Sequence, residues 1–181
     1  MRTLLCLASL ASACGDIDGL PPREFPSYDL VGVIDYPAMD KLVEWFGSHE
    51  TAGATDVVIY IDSGGGFAEP AWYALETMDS GRVTIHCVTM QAGSAAFKIL
   101  QGCDVRIIYA WGTLMAHETG AGLDQTDPYI RELNRLGAIH NTARSLMTPE
   151  QYHAKVVNGR TWRPSPPEAL RLGLVDRIIG Q

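Results

Sequence analysis

Apolar and polar positions alternate along this chain in blocks that predict strands and helices in turn. The β-branched runs at 30–34 and 57–61 have the composition of buried strands. Between them, residues 36–49 carry apolar side chains at helical spacing, and Gly53 ends that pattern. Because strand and helix continue to alternate, the sequence predicts an α/β fold with a largely parallel sheet. Further strands are predicted at 83–88, 105–109 and 113–116, and further helices at 70–78 and from Ser94 through Leu100.

The last third of the chain has a different pattern. Residues 129–147 predict a long amphipathic helix with its apolar residues on one face. Thr148 and Ser165 each precede a proline, so we expect them to be the N-caps of two shorter helices. Glu168 is expected to complete a capping box with Ser165.

Length and composition fit one compact domain. The chain has 181 residues, of which 46% are hydrophobic and 19% charged, so it can bury a substantial core. Residues 15–28, rich in glycine, proline and aspartate, are expected to be a linker, which leaves 29–181 as the domain. The net charge of −7 argues against nucleic acid as a partner, because that binding needs a basic surface. No P-loop motif and no metal-ligand spacing among the histidines is found, so no cofactor is expected.

Three segments carry candidate chemistry for a nucleophilic reaction. Ser94 lies where a predicted strand turns into a helix, so its hydroxyl is expected at the end of the sheet. The N–H of Ala95 begins that helix, and the glycine run 64–66 follows another strand, so both could approach a developing oxyanion. His117 ends a further strand and is the candidate base that would activate the serine. Each feature alone is more often structural, since a serine at a helix start is usually a cap.

The order of these segments resembles that of a known family. Residues 61–66, Ile-Asp-Ser-Gly-Gly-Gly, are similar to the strand-end motif Ile-Asn-Ser-Pro-Gly-Gly of the Clp protease proteolytic subunit. Residues 90–97 resemble its nucleophile segment, Gly-Gln-Ala-Ala-Ser-Met-Gly-Ala-Phe, and residues 114–118 resemble its Val-Met-Ile-His-Gln. Residues 165–176 are similar to its closing Ser-Ala-x-Glu-Ala…Gly-Leu-Val-Asp, so the resemblance covers residues 29–179.

The resemblance implies a crotonase-like and Clp-protease-like α/β fold of repeated β-β-α units, with the helix at 129–147 as a long handle that pairs two heptameric rings. It implies a homo-oligomeric serine endopeptidase, a hydrolase that cuts peptides or unfolded polypeptides. Ser94 would be the nucleophile, His117 the general base and then acid, and the N–H groups of Gly66 and Ala95 the oxyanion hole. The substrate would lie as an added strand beside the sheet.

One position departs from the family's pattern. The family's catalytic aspartate falls on Thr161, and a threonine hydroxyl can orient an imidazole but cannot stabilise an imidazolium by charge. Thr161 or Asn158 could orient His117 by a neutral hydrogen bond, or a carboxylate could serve from a nearby loop. A further alternative is a catalytically impaired scaffold subunit that pairs with an active relative. The loop carboxylates that could serve as the third member of the triad are Asp124, Asp127 and Glu118.

Two other interpretations stay open. An acyl-CoA hydratase or isomerase of the broader crotonase group would share glycine-based oxyanion holes, but it usually relies on glutamates and leaves Ser94 and His117 without a role. A dyad of Ser94 and Lys98 is conceivable because Lys98 is one helical turn away, although we expect Lys98 to be a solvated helix residue.

Residues 1–14 resemble a bacterial signal sequence. Arg2 is followed by an uncharged stretch that ends in Ala-Ser-Ala before Cys14, as at a lipoprotein cleavage site. We therefore expect export, lipidation at Cys14 and a place at a membrane surface, in the periplasm or on the cell surface. The alternative is a cytoplasmic protein, and an unfoldase ATPase partner is expected only in that case.

The state of Cys87 and Cys103 depends on the compartment. In an oxidising compartment the two could pair, whereas in a reducing one they would be thiols. Their spacing does not decide between these states, and we expect two buried, unpaired cysteines.

Overall fold

The computed structural model describes residues 19–79, 81–120 and 122–180. The predicted leader at 1–14, with its Cys14, lies outside the described residues. Strands and helices alternate as the sequence predicts, and no helix in the described part is long and apolar enough to cross a bilayer. In chain order the elements are β1 (Ser27–Ile34), α1 (Tyr36–Thr51), β2 (Asp56–Gly66), α2 (Ala68–Asp79), β3 (Thr84–Gly93), α3 (Ala95–Gly102), β4 (Val105–Met115), α4 (Pro128–Thr142), α5 (Pro149–Val156), α6 (Pro166–Arg171) and β5 (Arg177–Ile179).

The strands of the described chain form one parallel sheet whose spatial order, β1 to β5, is also the chain order. Each of the first three connections contains a helix, because a parallel pairing needs a crossover that returns the chain to the same end of the sheet. The pairings β1–β2, β2–β3 and β3–β4 each contain a register shift. The shift divides a strand into two segments, and the two segments with the helix that follows form the predicted β-β-α repeat. The carboxyl ends of β2, β3 and β4 therefore lie side by side at one edge.

The main core lies between the sheet and helices α1, α2 and α3. Alternate residues of a strand point to the same face, and in β2 these are Val57, Ile59 and Ile61, all fully buried. They belong to one apolar cluster with helix residues such as Phe46 and Phe97. Burial of side chains of this size stabilises the fold by roughly 2 kcal/mol each. This core holds the strand ends in place.

A smaller apolar cluster covers the opposite face of the sheet. Leu20 and Phe25, from the segment predicted as a linker, pack there, and the Phe25 ring lies 5.6 Å from that of His86. Strand β1 begins at Ser27, before the predicted domain start at 29. The strand residues of this cluster are Val58, Val88, Ile107 and Ile179.

Helix α4 is shorter than predicted. It begins at Pro128 but ends at Thr142 instead of 147. The following residues leave the helix because their backbone groups have tertiary partners, and the Leu146 N–H donates to the Leu172 carbonyl at 2.9 Å. Such a partner, distant in sequence, leaves no mark on the helical periodicity of 129–147.

Two other local predictions are also corrected. The strands predicted at 105–109 and 113–116 are one strand, β4, which bulges between its two stretches of pairing with β3. A reciprocal capping box forms at Thr148 and Gln151 at the start of α5. The sequence predicts a capping box at α6 instead. There Ser165 caps the helix by accepting from the Glu168 N–H, but the Glu168 side chain does not complete the box.

Cys87 and Cys103 form a disulfide bond, so the expectation of unpaired thiols is wrong. Both residues are fully buried, as expected. Cys87 lies on β3, Cys103 directly follows α3, and their Cα atoms are 5.9 Å apart, within the range that a disulfide spans. The bond therefore ties the far end of α3 to the strand that leads into it.

Candidate active site

Ser94 is the single residue between β3 and α3. Its backbone has φ 52° and ψ −114°, a left-handed conformation that is rare for a residue with a side chain. Its N–H donates to the Met115 carbonyl at 2.7 Å, while its side chain makes no cap bond to α3. The hydroxyl is therefore not used as a helix cap, and the sharp strand-to-helix turn presents it at the end of the sheet, as in a nucleophile elbow.

The glycine run that ends β2 lies directly against Ser94. Gly65 has φ 105°, and a Cβ atom there would stand 2.5 Å from the Gly93 carbonyl oxygen and 2.7 Å from the Ser94 Cβ. The same atom would be 3.0 Å from the Ala95 nitrogen, so the Gly65 backbone and the Ala95 N–H are neighbours. The Ser63 hydroxyl holds this turn by accepting from the Gly65 N–H at 3.1 Å. Glycine is required here because any side chain would displace the serine.

His117 follows β4 and is half-buried. The preceding residue, Ala116, exchanges two backbone hydrogen bonds of 2.8 Å with Trp162, which holds the main chain beside the histidine. The His117 Nδ1 lies 2.6 Å from the Glu118 carbonyl oxygen. Because a carbonyl oxygen can only accept, this contact places a proton on Nδ1, and in the neutral imidazole Nε2 is then the acceptor, which is the tautomer a general base for serine needs.

Thr161 lies beside His117 in the backbone register. The isolated antiparallel bridge of Ala116 and Trp162 makes Thr161 the next residue in register with His117. Thr161 is exposed, however, and the Nδ1 of His117 is bonded to the Glu118 carbonyl instead. A backbone carbonyl therefore occupies the orienting position that sequence reasoning gave to Thr161. No residue type marks such a group in a sequence.

The other candidate partners of His117 differ in position. Asp127 is the N-cap of α4, and Asp124 accepts two hydrogen bonds from its own loop, which hold the pKa of this carboxyl below its ordinary value. Asn158 lines an adjoining cavity, which shares Glu118 with the cavity of His117. Glu118 lines the cavity of His117, and its buried carboxylate accepts from a backbone N–H 3.4 Å away.

Ser94 and His117 line one cavity of about 550 Å³. Gly66 and Ala95 line it too, so the predicted nucleophile, base and oxyanion donors are brought together at the ends of three neighbouring strands. No group of side chains able to hold a metal ion is found among the described residues. The opposite wall comes from α4 and α5, with Leu133, Ala138, Asn141, Tyr152 and Val156.

Lys98 also lines this cavity. Its side chain is only 5% exposed, so the expectation of a solvated helix lysine is wrong. The reason is that α3 is enclosed by neighbouring elements, with every residue from Ala95 to Gln101 buried. The Lys98 Nζ lies 4.5 Å from the centroid of the Trp72 ring, and burial lowers the pKa of Lys98 to about 8, while the charge of Glu69 acts in the opposite direction. The apolar residues on all sides of α3 were the sequence signal for this burial.

The sequence matches no family model and no curated protein, whereas the fold matches solved structures. ClpP1 from Listeria monocytogenes is similar with a TM-score of 0.77 and 19% identity, over 86% of this chain and 91% of that one. A point mutant of ClpP1 from the same organism gives 0.74 and 20% over the same shares. The ClpP protease catalytic domain from Plasmodium falciparum gives 0.76 and 20%, over 86% of this chain and 85% of that one. This chain therefore has the fold of the ClpP proteases, as its ordered motifs predict.

Proposed function

We propose that this protein is a serine peptidase that hydrolyses peptides or unfolded polypeptides, with Ser94 as nucleophile and His117 as general base. The observation that carries the proposal is the left-handed backbone of Ser94, which frees its hydroxyl from helix capping and sets it beside Gly65 and Ala95. His117 lines the same cavity in the tautomer that a base requires. Backbone strain of this kind persists where the surrounding structure enforces it, and it concentrates at functional sites.

In the reaction, the Ser94 oxygen bonds to the peptide carbonyl carbon while its proton passes to Nε2 of His117. The carbonyl oxygen takes up the negative charge and accepts from the N–H groups of Gly66 and Ala95, the second of which lies at a helix N-terminus. His117 then gives the proton to the departing amine as the C–N bond breaks. Water attacks the acyl-enzyme by the same route and restores Ser94.

The Glu118 carbonyl limits how fast this can proceed. It holds the imidazole in the correct tautomer, and in a Ser-His-Asp triad the loss of that tautomer costs about 10⁴ in rate. It carries only a partial charge, however, so it stabilises the imidazolium less than a carboxylate would. We therefore expect a slow peptidase, about 10- to 1,000-fold below an otherwise equal site with an aspartate.

A fluorophosphonate reagent tests the proposal, because it reacts with activated serines. We expect labelling of the wild type at neutral pH, loss of labelling in Ser94→Ala and at least tenfold slower labelling in His117→Ala. Ser48→Ala is the matched control, since this surface hydroxyl only donates to the Trp45 carbonyl. An unlabelled wild type with a native fold would contradict the proposal and favour the catalytically impaired scaffold subunit.

We further propose that the chain forms a homo-oligomer, with heptameric rings as the specific expectation. Helix α4 supports self-association, because it leaves apolar side chains exposed on its outer face. Analytical ultracentrifugation tests this, and a monomer at micromolar concentration would contradict it. The exposed residues are Tyr129, Leu136 and Ile139.

Export is our proposal for the location, with lipidation at Cys14. The buried disulfide of Cys87 and Cys103 supports an oxidising compartment, because such bonds rarely persist in the cytosol. Mass spectrometry of the mature N-terminus tests the proposal. A chain that keeps Met1 in the producing cell would contradict it.

A further inference from the structure

Lys98 is a buried cation in the wall of the Ser94 cavity, and the proposed mechanism does not use it. Among the described residues its Nζ forms no salt bridge, although the side chain is 5% exposed. Holding an ammonium away from bulk water costs free energy, which the face of Trp72 and the charge of Glu69 offset only in part. Such a group is retained where a ligand supplies the missing charge.

Helix α4 supplies the polar surroundings of this cation. The Nζ of Lys98 would be 3.9 Å from a Cβ atom at Gly137, so the ammonium faces α4 where that helix has no side chain. Asn141 is one turn further along the same helix face and lines the same cavity. Its Nδ2 donates to the Tyr152 hydroxyl at 2.8 Å, whereas its buried Oδ1 has no hydrogen-bond partner. The wall around Lys98 thus combines a positive charge with one free acceptor, the Asn141 Oδ1, which could take a donor group of a ligand but not its carboxylate.

The direction of Lys98 separates it from the serine's own chemistry. The Cβ of Ser94 lies against Gly65 on β2, while the Lys98 ammonium lies over Trp72 of α2 and faces α4. His117 already offers its Nε2 as the candidate base. Lys98 is therefore placed to contact a substrate group that extends from the reacting carbonyl toward α4.

Lys98 supplies the positive charge of a cavity that is also lined by the carboxylates of Glu69 and Glu118. Burial lowers the pKa of Lys98 to about 8, so most molecules keep the charge at pH 7. The exposed carboxylate of Glu69 on α2 also faces it and favours the charged form. From α4, His140 bonds to the Lys98 carbonyl at 2.8 Å, and burial lowers the pKa of this imidazole, which adds no positive charge at pH 7.

We propose that Lys98 is a specificity-determining residue that selects a carboxylate side chain, aspartate or glutamate, on the residue whose carbonyl Ser94 attacks. This inference rests on the proposed peptidase function and names its substrate class. An ion pair formed inside a cavity is shielded from water, and a site built for such a group rejects the analogue that lacks it. We expect a preference of about 10- to 100-fold for the acid over its amide.

The test uses two peptidyl phosphonate probes that differ only in carrying glutamate or glutamine at the position next to the phosphorus, and a third probe that carries lysine there. Wild type is expected to react at least tenfold faster with the glutamate probe at pH 7, and this ratio should fall toward one at pH 9.5, as Lys98 loses its proton. Lys98→Met is expected to bring the ratio to about one, and Lys98→Glu to reverse the preference in favour of a lysine probe. Lys41→Met, an exposed lysine on α1, is the charge-matched control and should keep the wild-type ratio.

The outcomes separate this inference from the proposed function. Equal rates for both probes in the wild type would overturn the role of Lys98 while leaving Ser94 as the nucleophile. A natively folded Lys98→Met that reacts with neither probe would also overturn it, because Lys98 would then act as the base. If the wild type reacts with no phosphonate at all, the peptidase proposal fails. In that case, calorimetry measures the binding to Ser94→Ala of two peptides that carry glutamate or glutamine at the same position. Tighter binding of the glutamate peptide supports the inference, and equal binding overturns it.

Discussion

The two sides of the candidate site are built in different ways. On the nucleophile side, Ser94 and Gly65 hold unusual backbone conformations, and the parts contact one another directly at the ends of two adjacent strands. On the base side, the distant residue Trp162 holds the main chain beside His117, while the imidazole Nδ1 contacts the carbonyl of its sequence neighbour Glu118. The proposed nucleophile is thus positioned by unusual backbone conformations, whereas the strength of the proposed base depends on the charge of the groups around its ring. The groups around His117 can therefore change while the backbone geometry of Ser94 is kept.

Gly65→Ala should break the nucleophile side and have the largest effect. A Cβ there would overlap the Gly93 carbonyl and Ser94, and φ 105° is strained for alanine. We expect a cost of about 4 kcal/mol in the free energy of unfolding, measured in urea, together with loss of phosphonate labelling. Gly32→Ala is the matched control, since Gly32 also has a positive φ but open space around it, and it should cost about 1 kcal/mol. Equal costs for both variants would show that the close approach to Ser94 is unimportant.

Reduction of the Cys87–Cys103 bond should also destabilise the Ser94 side of the site, by less than Gly65→Ala. The bond closes a loop of sequence separation 16 between β3 and the end of α3. A loop of this length corresponds to about 3 kcal/mol in the free energy of unfolding. Urea titrations with and without a phosphine reductant measure the difference, and thiol counting in the unfolded state confirms the redox form. Identical titrations, with thiols free in both samples, would show that the bond does not form in solution.

Lys98→Met should stabilise the protein, because the buried charge of Lys98 lowers the free energy of unfolding at pH 7. The pKa of Lys98 is lowered from 10.5 in the unfolded chain to about 8, so at pH 7 the fold buries a charge at a cost. Allowing for the lost contact with Trp72, we expect a gain of about 2 kcal/mol at pH 7. The wild type binds fewer protons when folded between pH 8 and 10.5, so its stability rises there and the advantage shrinks.

Urea titrations of Lys98→Met and the wild type at pH 7 and pH 10 check this prediction. Lys41→Met controls for the change in net charge and should be within about 0.5 kcal/mol of the wild type at both pH values. A Lys98→Met variant that is less stable than the wild type at pH 7 would contradict the unfavourable burial of the charge.

Thr161→Asp should improve the base side by a smaller amount. Its register opposite His117 would bring a carboxylate close to the imidazole and stabilise the imidazolium of the transition state. Because the position is exposed, we expect about a tenfold rise in kcat, with the acid limb of the pH–rate profile moved to higher pH. Thr161→Asn is the neutral control and should not raise kcat. A kcat that Asp and Asn change equally would argue against a charge effect.

The order of elements could be predicted because burial leaves a periodic pattern. The runs at 30–34 and 57–61 became β1 and β2, and the helix predicted from residue 36 is α1. Boundaries were less predictable where distant residues end an element, as at Thr142 in α4. The disulfide was missed for a similar reason, because cysteine spacing does not show which strand and helix become neighbours.

By itself, the sequence determined the α/β alternation, the parallel sheet and the ordered motifs that carry Ser94, the glycine run and His117, because each is written in a short window of residues. Only the tertiary structure decided that Ser94 takes a left-handed backbone against Gly65, that Cys87 and Cys103 pair, and that Lys98 is buried in the same cavity as Ser94. The physical reason is that strain, burial and charge environment depend on which distant segments pack together, and local periodicity carries no record of those contacts.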